Sequence, residues 1–209
     1  MKIGIIGSGN IGGNLGLHWA EAGHDVIFSS RHPEKLQDLV RQSNNKAKAV
    51  SVAEAFEANA DVYLLAIPFG AIDELAEVYA GEFGGKVLID ATNPYPERDG
   101  KMAQDIKDSN SNASEYTAMK FGTAFTAKAF NTIYAEHLKD RAFGDGDKLA
   151  IPFAAQSSKA QEVTRQLIED IGFDAVYIGD LTETHIMDPD QKLYGKSTSA
   201  ALLRKMIER

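Results

Sequence analysis

Short apolar runs alternate with amphipathic stretches along almost the whole chain. The runs are Lys2–Ile6, Asp25–Phe28, Ala47–Val50, Asp61–Ile67, Lys86–Asp90, Ala124–Phe130, Lys148–Phe153 and Asp174–Ile178. They are rich in Val, Ile, Leu, Ala and Phe, and most lack polar alternation. That pattern predicts strands covered on both faces, as in a parallel sheet between helix layers. The stretches between them read as helices. Ile11, Leu15 and Trp19 recur every fourth residue and share one helical face, with Gly12, Gly16 and Ala20 beside them to allow close approach to a sheet. Gly23 is placed to cap that helix. Ser51 and Glu54 have the spacing of a capping box opening a helix over Val52–Asn59. Gln161, Val163, Leu167, Ile168 and Ile171 fall in a further helix before the last strand. The alternation predicts an α/β fold, a doubly wound and mostly parallel sheet. One domain is expected over residues 1–209, with a C-terminal tail and helix over 181–209.

One segment breaks the rhythm. "NPYPERDGKMAQDIKDSNSNA", Asn93 to Ala113, is polar and carries two prolines. It reads as a long loop, either a lid or a surface excursion.

Candidate chemistry starts at the first strand. "IGIIGSGNIGG" sets Gly7, Gly9 and Gly12 in G-x-G-x-x-G spacing between that strand and the first helix. Gly7 permits the tight turn, Gly9 lets a pyrophosphate approach the backbone, and Gly12 lets the helix pack on the strand. The backbone of Ser8, Asn10 and Ile11 then faces the phosphates at the positive end of the helix. This is the signature of a Rossmann dinucleotide-binding fold.

The second strand runs out into "DVIFSSRHPEKL". An acid that grips the ribose hydroxyls is usual about 20 residues beyond the glycines. Here Asp25 stands at the wrong end of the strand and Glu34 falls in the next helix. The tip instead offers Ser29, Ser30 and Arg31, and Lys35 one helical turn beyond Arg31. Hydroxyls and two cations suit a 2′-phosphate, which predicts NADP(H) rather than NAD(H). His32, in the same turn, reads as exposed.

Composition narrows the remaining options. A net charge of −8 argues against a nucleic-acid or anionic-membrane partner. The absence of cysteine removes thiolate nucleophiles and cysteine-ligated metals. The five His are scattered without ligand spacing, so no metal is expected. No apolar run approaches a membrane span, and "MKIGIIG" reads as a strand rather than a secretion signal. A cytoplasmic protein is expected.

The opening 36 residues resemble those of the NADPH-dependent F420 reductase family, and the NADPH-binding domain of mammalian ferric reductases is similar. Three further stretches carry the resemblance: "LLAIPFGAI" around Ile67, "KVLIDATNPYP" around Asn93 and "AKAFNTIYAEHL" around Asn131. Together they span roughly the first two thirds of the chain. The resemblance implies hydride transfer between NADP(H) and F420 or a flavin. It places the phosphate-binding residues at Ser30, Arg31 and Lys35. It sets Ile67 and Pro68, with Phe69, beside the cofactor. The nicotinamide then lies near Asn93–Pro94 and Asn131–Thr132. The last third departs from the family: where F420 reductases commonly carry Gly-Asp-Asp, this chain has Gln156 and Ser157. Related Rossmann halves, as in 6-phosphogluconate and pyrroline-carboxylate dehydrogenases, work with a large helical C-terminal domain. A 209-residue chain has no room for one, so their substrate chemistry is not expected.

Ring-to-ring hydride transfer demands no side-chain acid, because the cofactors carry the chemistry. No catalytic residue is therefore assigned. Tyr95, Tyr134, Lys128, His137 and His185 are the side chains from which a proton donor for a carbonyl would come, and each has a plain reading as a packing, paired or solvated residue. The expected partner is a small-molecule hydride acceptor. A non-catalytic NADP(H) sensor is the alternative. A homodimer through Ser199–Arg209 is a further expectation, from the clustering of Leu202, Leu203, Met206 and Ile207. Docking of that helix on the chain's own core explains the cluster equally well.

Overall fold

A computed structural model describes residues 1–109, 111–144 and 146–208. Eight strands form one sheet: β1 (Lys2–Ile6), β2 (Asp25–Ser29), β3 (Ala47–Val50), β4 (Val62–Leu65), β5 (Val87–Asp90), β6 (Thr126–Lys128), β7 (Ala150–Ala155) and β8 (Asp174–Gly179). Their order is β3-β2-β1-β4-β5-β6-β7-β8. The pairings are parallel except that of β6 with β7, which is antiparallel. The doubly wound, mostly parallel α/β fold expected from the pattern is what forms.

The strands lack polar alternation because both faces of the sheet are buried. Ile3 and Ile5 of β1, Val26 and Phe28 of β2, Leu64 of β4 and Ile89 of β5 enter one apolar cluster. Their neighbours Ile6, Ile27, Leu65 and Leu88 enter a second, on the other face. The first cluster is covered by α1 (Asn10–Glu21) through Leu15 and Trp19. Trp19 also donates its indole N–H to the Leu167 carbonyl at 2.9 Å. That bond ties α1 to the later helix Ser158–Glu169. Gly16 is required here: a Cβ would stand 2.2 Å from the Phe28 ring.

Short helices follow, α2 (Gln37–Gln42), α3 (Val52–Glu57) and α4 (Ile72–Tyr79). The box at the start of α3 forms in both directions, the Ser51 hydroxyl taking the Glu54 N–H while the Glu54 carboxylate takes the Ser51 N–H. Ser51→Ala should cost about 1 kcal/mol of stability, read as a shift of the urea midpoint at constant slope. Helix α3 ends two residues earlier than expected, because Asn59 turns left-handed with φ +52°.

The segment over 93–113 differs from its expectation as a loop. It folds as α5 (Pro96–Asp99) and α6 (Lys101–Asp108), then enters α7 (Ala113–Phe121). Asn110 lies outside the described residues. Pro96 opens α5 at the position where its missing N–H costs nothing. Asn112 caps α7, accepting from the N–H groups of Ser114 and Glu115. The polar composition is that of the outer faces, while Ala103 and Ile106 are buried in the second cluster. Asp99 anchors the arm by accepting from the N–H groups of Tyr95 at 2.9 Å and Gly70 at 3.1 Å.

The rest of the chain is α8 (Ala135–Arg141), α9 (Ser158–Glu169), a 3₁₀ turn over Leu181–Met187 and α10 (Ala200–Ile207). Helix α10 starts one residue after the expected Ser199, which caps it instead, and Arg209 lies outside the described residues. Its apolar side docks on the chain itself: Leu203 is buried with Ala150, Val176, Met187 and Leu193, and Met206 and Ile207 pack against them. Leu202 stays exposed. No helix among the described residues is long and apolar enough to cross a membrane.

Candidate cofactor cleft and acceptor pocket

In a doubly wound sheet the ligand crevice lies beyond the carboxyl ends of the strands, where successive connections leave in opposite directions. Here that point is between β1 and β4. Gly7 follows β1 with φ +98°, and a Cβ there would meet the Ala66 carbonyl at 2.5 Å. Gly12 lies against Gly7, leaving 2.1 Å from a notional Cβ to the Gly7 carbonyl oxygen. Gly9 is the exception: a Cβ there would meet nothing within 4 Å. Two glycines thus hold the turn together, and the third faces open space. Gly9 is the N-cap of α1, contributes no side-chain cap, and is followed by no acid in the first turn. The positive end of a 12-residue helix is therefore left available to an anion.

A cleft of about 240 Å³ opens at this point. Gly9, Asn10 and Ile11 form one wall, and Ala66, Ile67 and Pro68 another. Ala91, Thr92 and Asn93 close the third side, with Tyr95 and Arg98. Of the expected glycine-loop residues, Gly7, Ser8 and Gly12 do not line it, and Ser8 donates to the Ser29 carbonyl at 3.2 Å. Pro94 does not line the cleft. It forms part of a neighbouring pocket.

The β2 tip partly corrects the expectation. Ser29 is not presented to a ligand: it is fully buried and donates to the Ile5 carbonyl at 2.7 Å. The expected strand ends at Phe28, but β2 runs one residue further and takes Ser29 into the sheet. Ser30 begins the turn and accepts from the His32 N–H at 3.1 Å. Arg31 and Lys35 are exposed. Arg31 precedes the helix rather than starting it, since the next element is a 3₁₀ turn over Pro33–Leu36. Their one-turn helical relation therefore does not hold, although both remain on the connection leaving β2. Glu34 is engaged by His32 at 3.3 Å, and neither Arg31 nor Lys35 has an ion-pair partner among the described residues.

The strand tips opposite are held by hydrogen bonds of side-chain amides. Asn93 donates to the Asn131 carbonyl at 2.8 Å, while Asn131 donates to Asn93 Oδ1 at 3.0 Å and to the Met187 carbonyl at 2.9 Å. Asn131 is 4 % exposed and sits below the surface of the cleft. Phe130, just before it, takes φ +65°, and this ends β6 short of the expected Phe130 boundary. Asn131 Oδ1 and Thr92 Oγ1 are buried without a hydrogen-bond partner. Buried polar atoms are normally satisfied, so these orphans mark the tips as built around polar partners, and Thr92, which lines the cleft, suits a bound group carrying amide or hydroxyl functions. Together with the open face of Gly9 and the unneutralised helix end, they fit a nicotinamide dinucleotide.

Under the tips Lys128 takes its paired reading, with a partner and a burial that sequence reasoning missed. Lys128 is fully buried and pairs with the equally buried Asp90 at 3.0 Å. It also donates to the Thr92 carbonyl at 2.6 Å, while Asp90 takes the Thr92 N–H at 2.8 Å. This pair shapes the β5 tip rather than offering a proton donor. Asp188 lies near it. Burial raises the Asp188 carboxyl to about 6, assisted by Asp90 and opposed by Lys128 and His185. Tyr95 meets Tyr194 through their hydroxyls, and burial together with Tyr95 raises the Tyr194 phenol. Tyr134 caps α8 and is largely exposed. His137 bonds Ser197 at 2.6 Å, and His185 stands in the pocket beside Asp188. Among the described residues no group of three or more His, Asp or Glu is placed to hold a metal ion.

Fold and cleft define a nicotinamide-dinucleotide oxidoreductase of the Rossmann type. Residues 2–94 match the family described as NADP oxidoreductase, coenzyme F420-dependent. The chain is 34% identical over 152 residues to the F420-dependent NADP reductase of Methanothermobacter marburgensis, covering 67% of each. It is 31% identical to that of Methanothermobacter thermautotrophicus, over 90% of this chain and 85% of that one. It is 26% identical to the rat metalloreductase STEAP3, over 86% of this chain and 34% of that protein. A solved structure of a hypothetical protein from Sinorhizobium meliloti shares the fold at a TM-score of 0.83, with 24% identity and 95% of each chain covered. The chain belongs to the F420-dependent NADP reductase family and is an NADP-dependent oxidoreductase.

Proposed function

We propose that the protein moves hydride between NADP(H) in the β1–β4 cleft and a second conjugated acceptor: F420, a flavin or a small molecule. The observation that carries the cofactor half of this is the β2 tip, where Arg31 has no ion-pair partner among the described residues and the usual ribose-gripping acid is absent. The loop Gly7, Ser8, Gly9, Asn10, Ile11 and Gly12 holds the pyrophosphate by backbone N–H groups and the α1 dipole. Ser30, Arg31 and Lys35 hold the 2′-phosphate. Ile67, Pro68 and Asn93 flank the nicotinamide, and Asn131 orients Asn93 from beneath. When bound, the nicotinamide supplies the hydride itself. What the chain contributes is position, because transfer needs the two rings at near-contact distance.

Stopped-flow mixing of NADPH-loaded protein with F420, FMN and a quinone panel tests the turnover. NADPH absorbance should decay with at least one of them. No oxidation with any acceptor would sink the enzyme reading for those substrates and favour a binding protein without turnover.

A further inference from the structure

The β4–β5 ladder ends where the Ala91 N–H meets the Leu65 carbonyl at 2.9 Å. Beyond it the two strand ends form opposite lips of the cofactor cleft. Ala66, Ile67 and Pro68 line one lip, and Thr92, Asn93 and Tyr95 the other. Among the described residues one hydrogen bond joins the lips past that point. Gly70, in the 3₁₀ turn Phe69–Ala71, donates its N–H to Asp99 Oδ1 at 3.1 Å. The other oxygen, Oδ2, takes the Tyr95 N–H at 2.9 Å. A single carboxylate thus holds backbone from both sides of the cleft.

The local sequence builds this. Pro96 opens one helical turn, the Asp99 N–H returns to the Tyr95 carbonyl at 2.7 Å, and Gly100 ends the turn at φ +70°. Arg98 completes the arrangement. It donates to the two Asp99 oxygens at 2.9 and 2.7 Å and to the Asn93 carbonyl at 2.9 Å. Its guanidinium stands 4.8 Å from the centre of the Tyr95 ring, and Arg98 itself lines the cleft. The Asp99 side chain is 1 % exposed, so salt screens its bonds little. Burial alone would raise the carboxyl, but Arg98 and the two N–H groups outweigh it and hold the group below the usual carboxylate range. Asp99 therefore stays charged, and N–H groups that donate to a charged oxygen make the stronger bonds.

We infer that Asp99, with Arg98 locked onto it, is a positioning residue for the nicotinamide: it fixes the β4 and β5 lips against each other and so fixes how the ring is held. The inference rests on the reading of the cleft as the NADP(H) site. It assigns the pair no contact with the adenine end of the cofactor, which lies toward the β2 tip.

Adenosine 2′,5′-bisphosphate carries the adenine, the 2′-phosphate and one 5′-phosphate but no nicotinamide, so comparing it with NADP⁺ isolates the ring end. Both are titrated calorimetrically into the unmodified protein and its variants, with a urea midpoint for each variant. Asp99→Asn keeps the side chain's size, but it sets an N–H donor against a backbone N–H and loses the charge that holds Arg98. It should weaken NADP⁺ about tenfold, the scale of one charge-assisted hydrogen bond, and leave the bisphosphate within about twofold. At saturation the anisotropy of nicotinamide emission from bound NADPH should fall, because the ring is held less firmly. Arg98→Ala spares the bonds from Gly70 and Tyr95, so it should weaken NADP⁺ by about threefold and keeps the comparison available should Asp99→Asn fail to fold. Asp105→Asn breaks the exposed Lys101 pair on the same arm and should change neither ligand. Unchanged NADP⁺ affinity in both Asp99→Asn and Arg98→Ala, or equal loss of the two ligands, overturns the inference. Equal loss is what an anchor that only keeps the arm folded would give. If the unmodified protein binds neither ligand, the cofactor reading beneath falls, and the inference with it.

Discussion

Lys128→Met should destabilise the protein by about 3–5 kcal/mol, the usual cost of removing one partner of a buried ion pair. The effect should appear as a fall in the urea midpoint. Asp90 is fully buried, and without Lys128 its charge keeps only the Thr92 N–H. The Thr92 carbonyl also loses its 2.6 Å donor. The cost lies in the stranded carboxylate rather than in the attraction itself, because desolvation of both charges offsets much of their pairing. The double variant Asp90→Asn/Lys128→Met should therefore recover most of the loss, since the Asn side-chain oxygen still accepts from Thr92. If the double variant falls as far as the single one, packing of the lysine stem is the larger contribution. The β5 tip carries Thr92 and Asn93 into the cleft, so the single variant should weaken cofactor binding as well.

Arg31→Ala should weaken NADPH binding by about 1.5–3 kcal/mol, the scale of a hydrogen bond to a charged group, and leave NADH nearly unchanged. Arg31 is exposed and unpaired among the described residues, so its removal costs the fold little. Arg31→Lys should restore only part of the loss, because a point charge lacks the guanidinium's two-pronged geometry. Equal weakening of both cofactors would refute a 2′-phosphate contact.

Much of this was legible in the sequence because its causes are local. Both faces of the sheet are buried, so each strand announced itself as an apolar run, and all eight formed. Gly7 and Gly12 were legible because a turn and a close approach admit no side chain, and Gly9 by its place in their spacing. The capping box at Ser51 is four residues long and formed as read. What was not legible depends on partners far apart in the chain. Asp90 and Lys128 are 38 residues apart, and only the β5–β6 pairing makes them neighbours. Tyr95 and Tyr194 are 99 apart. The segment over 93–113 was misread for a different reason. Its helices are short and mostly solvated, so polar residues dominate, and inward-facing Ala103 and Ile106 give too weak a period to see. At Ser29 the residue type suggested a ligand contact, but β2 runs one residue past the expected Phe28 end and the hydroxyl is used by the Ile5 carbonyl.

The central claim is that the β2 tip selects NADP(H). Calorimetric titration of the unmodified protein with NADP⁺ and with NAD⁺ under identical conditions tests it most directly. NADP⁺ should bind tighter by roughly 10- to 100-fold, the equivalent of the charge-assisted contacts assigned to the 2′-phosphate. Equal affinity for the two, or tighter binding of NAD⁺, would contradict it.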